Sequence, residues 1–345
     1  MSDERLAGGH PGTTRPPRAL LSAAALVTVA VAAAAPGCGS STEDRAASGA
    51  TPGTSPARSV AVVATTTQVG DIVRAVGGSS VEVTQLLAPN TDPHDYEPRP
   101  KDVRATAGAD VVFTSGDDLD HWMEDVVKQS GGSPATVDLA EGLPQTLPGE
   151  DHGHGEASEH DPHWWHDPRN VEAAVGVIAA ALVKAEPAAR GAVERAAAAY
   201  VAKVRKLDAG ITACFDAVPA AERKLVTDHD AFGYFARRYG ITVVGAVIPS
   251  QTTQAQPSAA AISRLARVIR AQAVKAVFPE SSVNARLARA IAKQTGATAG
   301  LTLYGDTLGP EGSPGATYLT MERANADAMI KGFTGGSRGC EIAGL

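Results

Sequence analysis

Of the chain's nine histidines, eight lie beyond residue 90, and five of these fall between His152 and His166. That stretch reads Glu150-Asp151-His152-Gly153-His154-Gly155-Glu156-Ala157-Ser158-Glu159-His160-Asp161-Pro162-His163-Trp164-Trp165-His166. Neutral imidazole is the commonest side-chain ligand for borderline divalent metals, and neighbouring carboxylates add hard negative charge. The first chemistry to consider is therefore metal capture. The plainer alternative is a solvated acidic loop whose histidines have no task.

Four loops present candidate ligands. They are Pro93-His94-Asp95-Tyr96-Glu97-Pro98, Asp161-Pro162-His163-Trp164-Trp165, Thr227-Asp228-His229-Asp230-Ala231-Phe232-Gly233-Tyr234-Phe235 and Leu303-Tyr304-Gly305-Asp306-Thr307-Leu308-Gly309. Each follows a predicted strand or precedes a predicted helix. A single histidine in a turn is usually a surface or hydrogen-bonded residue. Four such loops, two from each half, can converge only in a cleft between the halves.

The elements that must hold these loops alternate. Short β-branched runs at 60–65, 81–87, 111–114 and 135–139 read as strands, with helices at 68–76, 100–107 and 120–129 between them. The second half repeats the style, with strands at 224–227, 242–247, 276–278 and 300–303. Its helices are expected at 231–239, 257–271, 285–295 and 318–332. The fold class is α/β: two lobes, each a mostly parallel sheet flanked by helices, with separate cores, joined by a long rigid backbone helix. Ligands in such sheets sit outside the carboxyl ends of the strands. Asp167 is a good N-cap with Pro168 behind it, and an apolar helix then runs from 171 to 185. A second helix follows from about 187 to 217. Such a stiff connection implies limited hinge motion.

The expected division is a signal peptide over 1–37, a lipid-anchored flexible linker over 38–57, and an N-terminal metal-binding lobe over 58–166 with a His-rich loop at 142–160. A linking helix at 167–186 and a C-terminal metal-binding lobe at 187–345 complete it. Arg15, Arg18 and the apolar run of about 17 residues from Ala19 form a secretory signal, short for a membrane span. Cys38 after Gly37 resembles a lipobox cysteine, although Ala35 and Pro36 depart from the usual residues. The protein is thus expected outside the cytoplasm, anchored to the cell membrane by lipid, and monomeric. Net charge is −7, and −8 once residues 1–37 are removed, which disfavours nucleic acid and favours a cation. Cys214 and Cys340 remain as a possible disulfide or as two free thiols.

From Arg58 to Phe333 the chain resembles the solute-binding proteins of zinc and manganese ABC importers, the cluster A-I type. The resemblance rests on Asp92-Pro93-His94-Asp95-Tyr96-Glu97-Pro98, Asp161-Pro162-His163-Trp164-Trp165, His229-Asp230-Ala231-Phe232-Gly233-Tyr234 and Tyr304-Gly305-Asp306-Thr307-Leu308-Gly309. Thr317-Tyr318-Leu319-Thr320-Met321-Glu322-Arg323-Ala324-Asn325 also looks like the family's last helix. It implies one metal held between the lobes by His94, His163, His229 and Asp306, delivered to the membrane permease of a zinc ABC importer. Three imidazoles and one carboxylate suit tetrahedral Zn²⁺, whereas Mn²⁺ prefers more oxygen ligands. Manganese members carry Glu where His229 stands. The His-rich stretch looks like the collecting loop of zinc members, with His152, His154 and His160 as weak secondary ligands. Its alternative is an insert without a role.

Glu280 and Asp230 are expected to support the ligand rings. Asp228, Asp95 and Glu97 are weaker candidates for the same task, or caps. His166 sits where the family has an aliphatic residue, and its direction is not readable. Trp164 and Trp165 are expected to pack the lobe interface and His121 to lie on the surface. The rival readings are a manganese-binding importer component, an adhesin on the same scaffold, and a zinc hydrolase. No His-Glu-x-x-His helix and no nucleophile–base pair appears, and four protein ligands would leave no open position for water, so no enzyme is expected.

Overall fold

The computed structural model describes residues 58–150 and 158–344. The signal peptide, the linker with Cys38, and His152 and His154 lie outside the described residues. The first lobe is built from β1 (Val60–Ala64), α1 (Thr67–Gly77), β2 (Val81–Gln85), α2 (Pro100–Ala107), β3 (Val111–Thr114), α3 (Trp122–Ser130) and β4 (Ala135–Asp138). Its four strands pair in parallel in the order β2-β1-β3-β4. β1 and β3 are central and almost wholly buried, as their unbroken valine and phenylalanine runs require.

Two helices follow, α4 (Pro168–Ala185) and α5 (Arg190–Asp216). Asp167 caps α4 by accepting from the Arg169 amide, with Pro168 at the first helical position, as expected. The 27 residues of α5 span about 40 Å at 1.5 Å per residue. α5 packs on α4 and α1 of the first lobe and on α6 (Gly233–Tyr239) and α9 (Tyr318–Thr334) of the second.

In the second lobe β5 (Lys224–His229) pairs in parallel with β6 (Thr242–Ile248), and α7 (Ala259–Ala271) and α8 (Arg286–Thr295) follow. The strands expected at 276–278 and 300–303 shrink to isolated parallel bridges, Thr227 with Phe278, Ala276 with Thr298 and Glu280 with Leu303. Pro279 has no N–H to give, so a continuous ladder cannot pass through it. Elsewhere the predicted elements differ from the observed ones by at most a few residues at their ends.

The expected separation of the cores is corrected. One apolar cluster runs from Val62 and Phe113 through Trp165, Ile178 and Ile211 to Phe232, Phe278 and Met329, and so belongs to both lobes. Among the described residues, two independent clusters lie under α2 and α3 and under α7 and α8. The Cys214–Cys340 disulfide is formed, tying the end of α5 to the C-terminal tail across 126 residues.

Candidate metal centre

His94, His163, His229 and Asp306 each offer a ligand atom, and all four atoms lie within 4.8 Å of one another. His94 sits in the loop after β2, His163 opens the short turn before α4, His229 ends β5, and Asp306 follows the Leu303 bridge. The side chains of His163, His229 and Asp306 are fully buried and that of His94 is 8% exposed. His163 Nε2 is 3.2 Å and His229 Nε2 3.3 Å from Asp306 Oδ1, and the two Nε2 atoms are 3.3 Å apart. Zn–N and Zn–O bonds near 2.0–2.1 Å in a tetrahedron place ligand atoms about 3.3 Å apart. Three edges therefore already have that length. His94 Nε2 stands further off, 4.0 Å from Asp306 Oδ2.

The rings are aimed by carboxylates behind them. Asp161 Oδ1 accepts from the His163 amide at 3.0 Å and lies 2.7 Å from its Nδ1. Glu280 Oε1 does the same for His229, at 2.9 Å from the amide and 3.0 Å from Nδ1. A proton held on Nδ1 leaves the Nε2 lone pair pointing at the centre. Among the described residues, only imidazole nitrogens approach the oxygens of the Asp306 carboxylate. A buried carboxylate in this state calls for a cation.

Electrostatics carry the same message. Burial alone would lower the His163 pKa, but Asp161 and Asp306 raise it to about 9. His229 is lifted well above its ordinary value: burial opposes this, and Asp306 and Glu280 prevail. Burial would raise Asp306, yet His229 and His163 hold it well below the usual carboxylate range. Asp92 is pushed up to about 6 by burial and by Asp306. Without a metal, the carboxylates around the centre favour protonated imidazoles at His163 and His229.

The Asp306 loop is held from both sides. Its own lobe grips Tyr304 through Asn325, whose side chain accepts from the amide at 2.8 Å and donates to the carbonyl at 2.9 Å. From the first lobe, Trp165 Nε1 donates to the Gly305 carbonyl at 3.1 Å and Thr67 Oγ1 accepts from the Leu308 amide at 2.8 Å. Gly305 leaves room for the Glu280 carboxylate, which a Cβ there would push from its place beside His229.

Residues 249–254, just after β6, reach across the cleft. Thr253 Oγ1 donates to Asp92 Oδ2 at 2.6 Å, while Asp92 Oδ1 accepts from the His94 amide at 2.9 Å. Gln254 Nε2 donates to the His94 carbonyl. Ser250 Oγ and the Gln251 amide donate to Glu150 Oε2 at 2.9 and 2.8 Å. The sequence reading missed this strap and also the part of Asp161. The signal for Asp161 was present, because Asp-Pro-His occurs twice and places a carboxylate two residues before each histidine.

Of the supporting residues expected, Glu280 is in place. Asp230 is not: its amide bonds to the Ser250 carbonyl, and its carboxyl influences His163 and His229 through charge only. Asp228 accepts from the Glu280 amide at 2.8 Å and so acts one step further back. His160 is not among the four converging residues, and its Nδ1 lies 3.4 Å from Asp117. His166 turns away from the centre to pair with Glu322 at 2.7 Å and stacks on Phe232. Trp164 and Trp165 are fully buried packing residues, and His121 is exposed.

The profile described as "Zinc-uptake complex component A periplasmic", ZnuA, matches residues 62–332. The chain is 34% identical to the manganese-binding lipoprotein MntA of Bacillus subtilis (strain 168) over 277 residues, 78% of this chain and 88% of that one. It is 31% identical to the iron-binding protein YfeA of Yersinia pestis, covering 80% of this chain and 87% of the relative. The periplasmic zinc-binding protein TroA of Treponema pallidum superposes with a TM-score of 0.72 at 28% identity, over 79% of this chain and 99% of that one. With its inter-lobe centre and a match along most of its length, the chain belongs to the ZnuA family, the metal-binding solute-receptor components of ABC importers.

Proposed function

We propose that the protein captures Zn²⁺ in the cleft between its lobes and hands it to the permease of a zinc ABC importer. One observation carries the choice of metal: three histidine nitrogens and one aspartate, with three of their separations at the edge length of a zinc tetrahedron. Like its relatives it is a binding protein, not an enzyme. The zinc is cargo, and four protein donors complete its shell without an open position for water.

Cys38 is proposed as the lipidated N-terminus of a monomeric, extracytoplasmic protein, in keeping with the lipoprotein name of its Bacillus relative. His152, His154 and His160 are proposed as weak collecting ligands beside the cleft. A manganese reading has its own support. Both Asp306 oxygens are bare and buried, so a bidentate aspartate could raise the coordination number, and the relatives include manganese- and iron-binding proteins. Native mass spectrometry of the metal-free protein with equimolar Zn²⁺, Mn²⁺ and Fe²⁺ decides between them. Zinc is expected to fill one tight site in preference to the others. Preferential manganese loading would replace the zinc assignment, and loading at no single site would remove the importer reading.

A further inference from the structure

We propose that the outward face of α7 and α8 is a docking surface for an anionic phospholipid bilayer. Between residues 251 and 305 the chain has seven basic residues and one acidic residue, Glu280, which is buried behind His229. That segment carries +6 in a protein of net −7, so the remainder carries −13. The two helices lie side by side over one apolar cluster that includes Leu265, Ile269, Ala288 and Ile291. With those residues turned inward, Arg264, Arg267, Arg270, Arg286, Arg289 and Lys293 are all exposed. Lys275 nearby is paired with Glu222 at 2.7 Å, but none of these six has an ion-pair partner among the described residues. Arg289 senses the buried Asp228 only at longer range.

The composition of this face points to lipid rather than protein. Hot spots of specific protein interfaces are enriched in Trp and Tyr beside Arg, and α7 and α8 hold no aromatic residue. The exposed large apolar residue among those described is Val243, on β6 rather than on these helices. Five guanidinium groups and an ammonium, without anchors, suit a field of phosphates, which arginine grips bidentately. At physiological salt the Debye length is about 8 Å, so the acidic far side of the molecule is screened from a surface that α7 and α8 touch. Contact by this face would orient the molecule on the membrane that holds its permease. The proposal is independent of which metal the cleft takes.

The test is co-sedimentation of the full chain with phosphatidylcholine vesicles, with and without phosphatidylglycerol. Arg264→Gln, Arg267→Gln, Arg286→Gln and Arg289→Gln are combined in one variant. Lys101→Gln, Lys128→Gln, Arg190→Gln and Lys203→Gln, exposed cations elsewhere, form the control. Any contribution of the N-terminal segment is common to all three proteins. The parent and the control are expected to prefer the anionic vesicles, and the preference should weaken with salt. The α7–α8 variant should lose about tenfold or more of that preference, with retained metal binding reporting an intact fold. No preference for anionic vesicles, or equal loss in the control, overturns the proposal and leaves the face to an acidic protein surface.

Discussion

Asp161 and Glu280 stand in equivalent positions behind His163 and His229, each spending one carboxylate on both a backbone amide and a ring nitrogen. Fixing the tautomer and direction of a ligand ring is typically worth 10- to 100-fold in metal affinity. Asp161→Asn is accordingly expected to weaken binding by about that factor in a chelator competition, and unchanged affinity would remove the orienting role. Protons compete for the same rings. His163 is raised to about 9 and His229 well above its ordinary value, so a metal binding at neutral pH must compete with protons for these rings. Affinity should therefore climb with pH up to about 9, by as much as tenfold per unit for each proton released, and fall as pH drops. The ordinary imidazole value of about 6.5 would put the change lower, but the carboxylates move the window upward. Calorimetry in buffers of differing ionisation enthalpy measures the release directly, and none at pH 7 would contradict it.

Between elements, two features link parts of the chain far apart in sequence. The strap at 249–254 holds the His94 loop through Thr253–Asp92 and Gln254–His94, and His94 is the ligand left partly exposed and most distant from Asp306. Thr253→Val with Gln254→Leu should speed metal release several-fold while leaving the melting temperature of the metal-free protein nearly unchanged. In a His94→Ala background the same pair should have little further effect, since it acts through that loop; additive losses would refute the coupling. The second link is the buried His166–Glu322 pair, joining the turn before α4 to α9. His166→Ala should cost about 1–3 kcal/mol by leaving the buried Glu322 carboxyl without its hydrogen-bond partner. Replacing both residues with leucine should recover most of that in denaturant unfolding. The elements themselves were legible in the sequence, because valine runs, the Asp167-Pro168 cap and helix-spaced apolar residues are local signals. The strap was not: Thr253 and Gln254 look like ordinary loop residues until Asp92 and His94 arrive from 160 or so positions away.

For the whole molecule, the apolar core is continuous between the lobes through α4 and α5, so metal exchange is expected to involve the His94 loop and the strap more than wide opening. The Cys214–Cys340 bridge joins the C-terminal end of α5 to the chain's tail and includes none of the four converging residues. Reducing it should lower stability, with about 4–5 kcal/mol as the chain-entropy ceiling for a loop of this length, yet leave metal affinity intact. A large drop in affinity on reduction would show that the tail communicates with the site. Saturating metal should raise the melting temperature of either form by mass action.

Read alone, the sequence determined the α/β alternation and the charge that attracts a cation, and its motifs picked out the four residues that converge, since each is written in local pattern or in motifs whose chemistry is specific. It left open where His166 points, whether the cysteines pair, and which acid stands behind which ring. Only the tertiary structure decided those, because side-chain direction and long-range pairing depend on how distant segments pack. His166 and Glu322, 156 residues apart, meet only once the last helix has packed against the turn that carries the second ligand.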